Sequence, residues 1–188
     1  KSMSNSLQIH KMKKKIIITL SKRFPQTHSR KGEPTHFREK LGNALNDTPE
    51  TMIDNGGTTV SVNSRKIHTI RKNFIRWQHN LDKISGGGFY LSIRQWSARP
   101  YNSPQEEIFQ LHDNGIGCQR ITMSYSPDTK EVKAVIDGKY TANVEQIAAN
   151  DGLQVSEFLE WFFGKNPTEK KLFSGVIIHF TPFRYGSD

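Results

Sequence analysis

An α+β domain, a curled or barrel-like sheet with a few inserted helices, is what this chain of 188 residues predicts. Three observations carry that expectation. Five to seven runs of strand length are spread along the chain, among them residues 15–21 and 173–180. Two stretches repeat apolar residues at helical spacing: Phe37, Leu41 and Leu45, then Phe74, Trp77, Leu81 and Ile84. Asp137-Gly138, set between residues 131–136 and 139–142, is a hairpin signature, because tight turns need residues that tolerate positive φ.

Taken in order, residues 1–14 are polar, aperiodic and lysine-rich, and read as a disordered basic leader or tag. Residues 15–183 form the single expected domain, and 184–188 a tail. Residues 15–21 are β-branched and fit a buried first strand. Residues 24–35 hold two prolines and a glycine and make a loop, as do the polar residues 46–57. Between them lies a helix over 36–45 with Thr35 as a candidate N-cap. Residues 58–62 suit a short strand. The second helix begins after Asn73 as N-cap, buries Phe74, Trp77, Leu81 and Ile84, and stops at Gly86-Gly87-Gly88. Those glycines end a helix instead of opening one, so they are no phosphate loop. Strands follow at 89–96, 108–112, 119–125 and on both sides of Asp137-Gly138, then helices at 143–150 and 155–163 and a closing strand at 173–180.

Composition narrows the function. Residues 1–100 carry 19 Lys/Arg against 6 Asp/Glu, whereas residues 101–188 carry 8 against 12. A basic half favours polyanions, nucleic acid first, through counterion release. No apolar run is long enough to span a bilayer, so no membrane association is expected. The single Cys118 excludes an internal disulfide and a multi-cysteine zinc site, and a reducing, cytoplasmic setting follows as the default. The seven histidines show no H-x-x-E-H or H-E-x-x-H spacing, and neither a metal nor a cofactor is expected.

The densest chemistry lies in residues 64–73, where Lys66, His68, Thr69 and Arg71 fall within six residues. On a strand, Thr69 and Arg71 share one face and Lys66 and His68 the other. The β-branched Ile67, Thr69 and Ile70 disfavour a helix. A loop feeding a short strand is therefore expected, with Lys66 turned back over the Thr69 hydroxyl to hold an anion or a polarised carbonyl. The plain alternative is a solvated basic strand end.

Residues 66–71, K-I-H-T-I-R, resemble the K-x-x-T-x-R signature of ASCH domains in the PUA-like superfamily, which includes bacterial acetylcytidine amidohydrolases. The resemblance implies a small β-barrel with helices over its mouth, here with long loop insertions, and a basic cleft for RNA or a modified nucleoside or nucleotide. The order of first strand, first helix and motif agrees, and residues 149–158 resemble the acidic residue, turn and late helix of the amidohydrolase branch. Carried over residue by residue, that branch implies a Thr69 nucleophile, a Lys66 base and Asp151 as the acid. Asp151 is one methylene shorter than the family's Glu, and its other reading is a turn residue before Gly152. The expected ligand-binding set is Lys66, His68, Thr69 and Arg71 together with Trp96 and Arg99, whose segment W-S-A-R-P-Y joins aromatics to a guanidinium. Trp96 reads equally well as core. Binding module and amidohydrolase are thus the two function classes to separate.

Overall fold

A computed structural model describes residues 13–46, 51–53, 59–61, 64–113 and 115–187. The first half runs β1 (Lys14–Thr19), α1 (Phe37–Asn46), β2 (Thr51–Ile53), β3 (Thr59–Ser61), β4 (His68–Arg71) and α2 (Phe74–Ser85). The second runs β5 (Phe89–Trp96), β6 (Gln105–Leu111), β7 (Gly117–Ser126), β8 (Glu131–Ile136), β9 (Tyr140–Ala142), α3 (Val144–Asn150), α4 (Val155–Phe163) and β10 (Lys171–His179). The architecture is α+β. One sheet has the order β1-β5-β6 and the other β4-β10-β7-β8-β9. The expected strand at 58–62 is β3, but it pairs only with β2, a strand that lies inside the stretch expected to be loop.

β5 is the axis of the first sheet, parallel to β1 from Lys14↔Phe89 to Thr19↔Arg94 and antiparallel to β6. β10 is the axis of the second, antiparallel to both β4 and β7. Alternation along β1 buries Ile16 and Ile18 and leaves Ile17 outside. The core joins these to Leu91 and Ile93 of β5, Ile121 and Met123 of β7 and the run Val176, Ile177 and Ile178 of β10.

The expectation of a barrel-like sheet needs correction, because no sheet closes on itself among the described residues. Closure would require two ladders, β6 with β9 and β1 with β4, and neither forms among the described residues. Between β1 and β4 the link is a side chain instead: Arg71 Nη2 donates to the carbonyl oxygen of Thr19 at 2.7 Å.

The expected caps act at α2. Asn73, at φ 65°, accepts a hydrogen bond from the Arg76 N–H and opens α2, and Gly86 closes it. Leu81 and Ile84 are buried, but Phe74 and Trp77 are only half-buried against the core, so the expected four-residue buried stripe shrinks to its C-terminal half. In α4, Phe158 and Phe163 are buried and Trp161 and Phe162 half-buried. Glu157 reaches back to the Gln154 N–H at 2.9 Å and holds the first turn.

Candidate functional site

Lys66 is the largest fully buried side chain among the described residues, 1 % exposed. Its backbone N–H donates to Lys40 O of α1, and the next N–H, of Ile67, donates to Asn150 O at the end of α3. The segment before β4 is therefore clamped between two helices, and the Lys66 side chain must run inward. Its Nζ donates to Asp151 Oδ1 and to the Asp151 carbonyl oxygen, each at 2.6 Å, and lies 4.0 Å from the centre of the Phe37 ring. One ammonium thus neutralises a carboxylate, caps a free carbonyl past the last turn of α3 and sits on an aromatic face. Gly152, at φ +77°, makes room for it, since a Cβ there would stand 3.2 Å from Lys66 Cβ.

Burial pushes the Lys66 ammonium down to about 8, with the Asp151 carboxylate opposing the fall. Burial on its own would raise the Asp151 carboxyl, but Lys66 and His68 hold it below its ordinary range. At neutral pH the pair is ionised. Lys40, whose Nζ donates to Gly152 O at 2.7 Å, adds a second partly buried ammonium that burial also lowers.

Thr69 and Arg71 share a face of β4, as strand alternation requires: Arg71 Nη1 donates to Thr69 Oγ1 and to Ile70 O, both at 2.8 Å. The expected turn of Lys66 over Thr69 does not form. The ammonium is taken by Asp151, and the threonine oxygen receives its hydrogen bond from Arg71. Half-buried Arg71 makes its remaining bond to Thr19 O, and no carboxylate lies within ion-pair distance of it among the described residues. Burial lowers the pKa of its guanidinium, which nonetheless stays charged in any protein setting. Three cations, Lys40, Lys66 and Arg71, surround the single carboxylate of Asp151, and nearby Glu157 is already paired with Arg30.

His68 points the other way and is fully buried, so it does not line the Arg71 face. Its Nε2 is 2.8 Å from Tyr185 Oη, which also accepts from Asn150 Nδ2 at 2.9 Å. Its Nδ1 is 3.7 Å from Asp151 Oδ1, an electrostatic contact too long for a hydrogen bond. Across the ladder His179 faces His68 with ring centres 5.7 Å apart, and neither His179 nitrogen has a hydrogen-bond partner among the described residues. Burial and neighbouring positive charge hold His179 neutral, far below the usual histidine range.

Trp96 and Arg99 stand apart from this cluster. Arg99 is exposed, and half-buried Trp96 packs on Tyr101 with ring centres 5.2 Å apart. Their route to Arg71 is indirect, through Gln105, which pairs with Trp96 and donates to Thr19 Oγ1 at 3.4 Å.

Sequence reasoning missed Phe37, Lys40, His179 and Tyr185. Phe37 and Lys40 lie one helical turn apart on α1, the only local hint that they meet one group. Tyr185 lies beyond the expected domain edge at 183, yet it is 4 % exposed and its backbone exchanges two hydrogen bonds with the Gln119 side chain. Compared with protein-family models, curated proteins and solved structures, the chain gives no match.

Proposed function

We propose that this is an ASCH-like, PUA-related domain that binds RNA or a modified nucleotide, docking an anionic group of the ligand on Arg71. The observation that carries the reading is the half-buried guanidinium of Arg71, held by three neutral oxygens, with no carboxylate within ion-pair distance among the described residues. Such a group is fixed in place before the ligand arrives and presents a planar fork to phosphate. Thr69 beside it offers a hydroxyl. Lys66 and Asp151 form a buried, net neutral pair close by. The order of elements supports the family reading: β1, α1, motif strand, an acid at the end of α3, late helix α4 and a closing strand that pairs with the motif strand. The open sheets are a departure from the family's barrel.

The test is a binding titration of nucleoside monophosphates, modified cytidines and short RNAs against the wild type, Arg71→Lys and Arg71→Ala. Losing a charge-assisted contact of about 1.5–3 kcal/mol weakens binding roughly 10- to 150-fold in Arg71→Ala, with Arg71→Lys in between. Undiminished binding by Arg71→Ala rejects the reading.

One observation favours the second reading, an amidohydrolase acting on an acylated nucleoside such as acetylcytidine. Lys66, lowered to about 8 beside Asp151, has the basicity of a group that exchanges protons near neutrality. For Thr69 to act as nucleophile, Lys66 Nζ would have to leave Asp151 and Arg71 release the Thr69 oxygen. Incubation with acetylcytidine separates the readings. An enzyme releases cytidine and acetate, loses turnover in Thr69→Ala and keeps part of it in Thr69→Ser, whereas a binding module turns over nothing.

A further inference from the structure

We propose that the groove beside Arg71 carries an unpaired nucleotide strand, so that the natural ligand is a single-stranded segment longer than one nucleotide. The inference rests on the nucleotide-binding reading and extends it along a second surface. The groove has a volume of about 720 Å³ and is lined by Lys72, by Trp161 and Phe162 of α4 and by Lys171, Leu172 and Phe173 at the start of β10, with no carboxylate among its lining residues. That size falls within the roughly 300–1,000 Å³ of clefts that hold ligands.

Two links tie the groove to the site. Lys72 is the residue after Arg71, and the Trp161 ring lies 6.0 Å from that of Phe37, the ring under the Lys66 ammonium. Gly175 keeps the strands tight here, since a Cβ would collide with Arg71 O and stand 2.7 Å from the Phe173 ring. Phe162 meets Phe173 edge-on with ring centres 5.0 Å apart, and Trp161, the preceding residue of α4, lines the same groove. All three rings are half-buried and keep part of their surface open. Leu172, beside the two lysines, is 73 % exposed. Lys171 is held in place by donating to Phe163 O at 2.6 Å at the C-terminus of α4.

Cations along a channel with sequence-tolerant ring faces between them match an unpaired nucleic acid strand, whose phosphates seek charge and whose bases seek stacking. A peptide groove of this kind would have no use for an all-positive rim, and a duplex hides its base faces. RNA and DNA strands share the chemistry, and the experiment distinguishes them.

Fluorescence anisotropy is measured with labelled deca-uridylate and deca-thymidylate, and UMP binding is followed by calorimetry. The proteins are the wild type, the double variant Lys72→Glu/Leu172→Glu and Arg71→Ala. Both groove positions are exposed, and thermal melting checks that the double variant stays folded. The expected result is tighter binding of at least one decamer than of UMP, reduced about fivefold or more in the double variant while UMP binding stays unchanged. The salt dependence of decamer binding becomes shallower in step, by about 0.7 in log–log slope per lost phosphate contact. Decamers binding no better than UMP, or equally well to the double variant, overturn the groove and leave the Arg71 reading standing. Decamer binding lost in the double variant but untouched in Arg71→Ala keeps the groove and overturns the Arg71 reading. No binding of UMP or decamer overturns both. Self-association of the wild type abolished in the double variant, with no decamer bound, makes the groove a contact between copies and overturns the proposal.

Discussion

Two regions join basic and aromatic residues, and the fold treats them in opposite ways. At the tip between β5 and β6, Arg99 and Tyr101 project into solvent, Tyr101 at 87 % exposure, and the turn is held by local bonds such as Ser97 N–H to Pro104 O. Around Lys66 the cation is fully buried, and its partners come from α1 and the end of α3. A charge at the tip keeps its water and costs little, so it is free to move. A charge at Lys66 has lost its water and survives only because Asp151 and a free carbonyl replace it. The difference teaches that a preorganised electrostatic site needs tertiary enclosure, and residue type alone does not distinguish it from a solvated loop.

The sharpest way to break the comparison is Asp151→Ala. It strands a buried ammonium and is expected to cost about 3–5 kcal/mol, read as a lowered midpoint in chemical denaturation. Lys66→Met combined with Asp151→Leu removes both charges together and recovers most of that loss. A midpoint unmoved in Asp151→Ala would show that Lys66 reaches water.

Next in size is the acid dependence. His68 and His179 are both lowered by burial, so each is neutral when folded and takes up a proton when unfolded below its usual pKa near 6.5. The unfolded state then binds more protons, and stability falls as pH drops below about 6.5, by up to about 1.4 kcal/mol per unit for each histidine. Asp151 acts in the same direction at lower pH, because its carboxyl is held below the unfolded value and stability is lost as it protonates. His179→Phe should remove the His179 part of the slope between pH 4.5 and 6.5, measured by urea unfolding. An unchanged slope means that His179 is hydrated.

Half-buried Trp77 and fully enclosed Leu81 sharpen the contrast within one helix. Leu81→Ala falls in the range of about 2–5 kcal/mol for buried aliphatic truncations, and Trp77→Ala should cost less despite the larger side chain. The reverse order would restore the longer buried stripe. The smallest effect is expected at the tip, where Arg99→Ala should lie within about 0.5 kcal/mol of the wild type. A larger loss would give that loop a structural partner it does not show.

Much of this was legible in the chain itself. Ile16 and Ile18 against Ile17, Asn73 and Gly86 around α2, and Asp137-Gly138 between β8 and β9 each settle a local choice by alternation, capping or turn chemistry. The sharing of one face by Thr69 and Arg71 also follows from the two-residue period of a strand. Those are properties of neighbours a few residues apart, and sequence determines them because local sterics and hydrogen bonding are decided locally. What Lys66 touches was decided elsewhere. Asp151 stands 85 residues away beside Asn150, and Phe37 and Tyr185 enter the same cluster from two further segments. The sheet edges were likewise settled by tertiary contacts, with a guanidinium spanning from β4 to β1 where a backbone ladder would have joined the two sheets. Burial of a charge depends on every surface that packs around it, so only the assembled structure turns the K-x-x-T-x-R pattern into a locked lysine beside an arginine that, among the described residues, has no carboxylate within ion-pair distance.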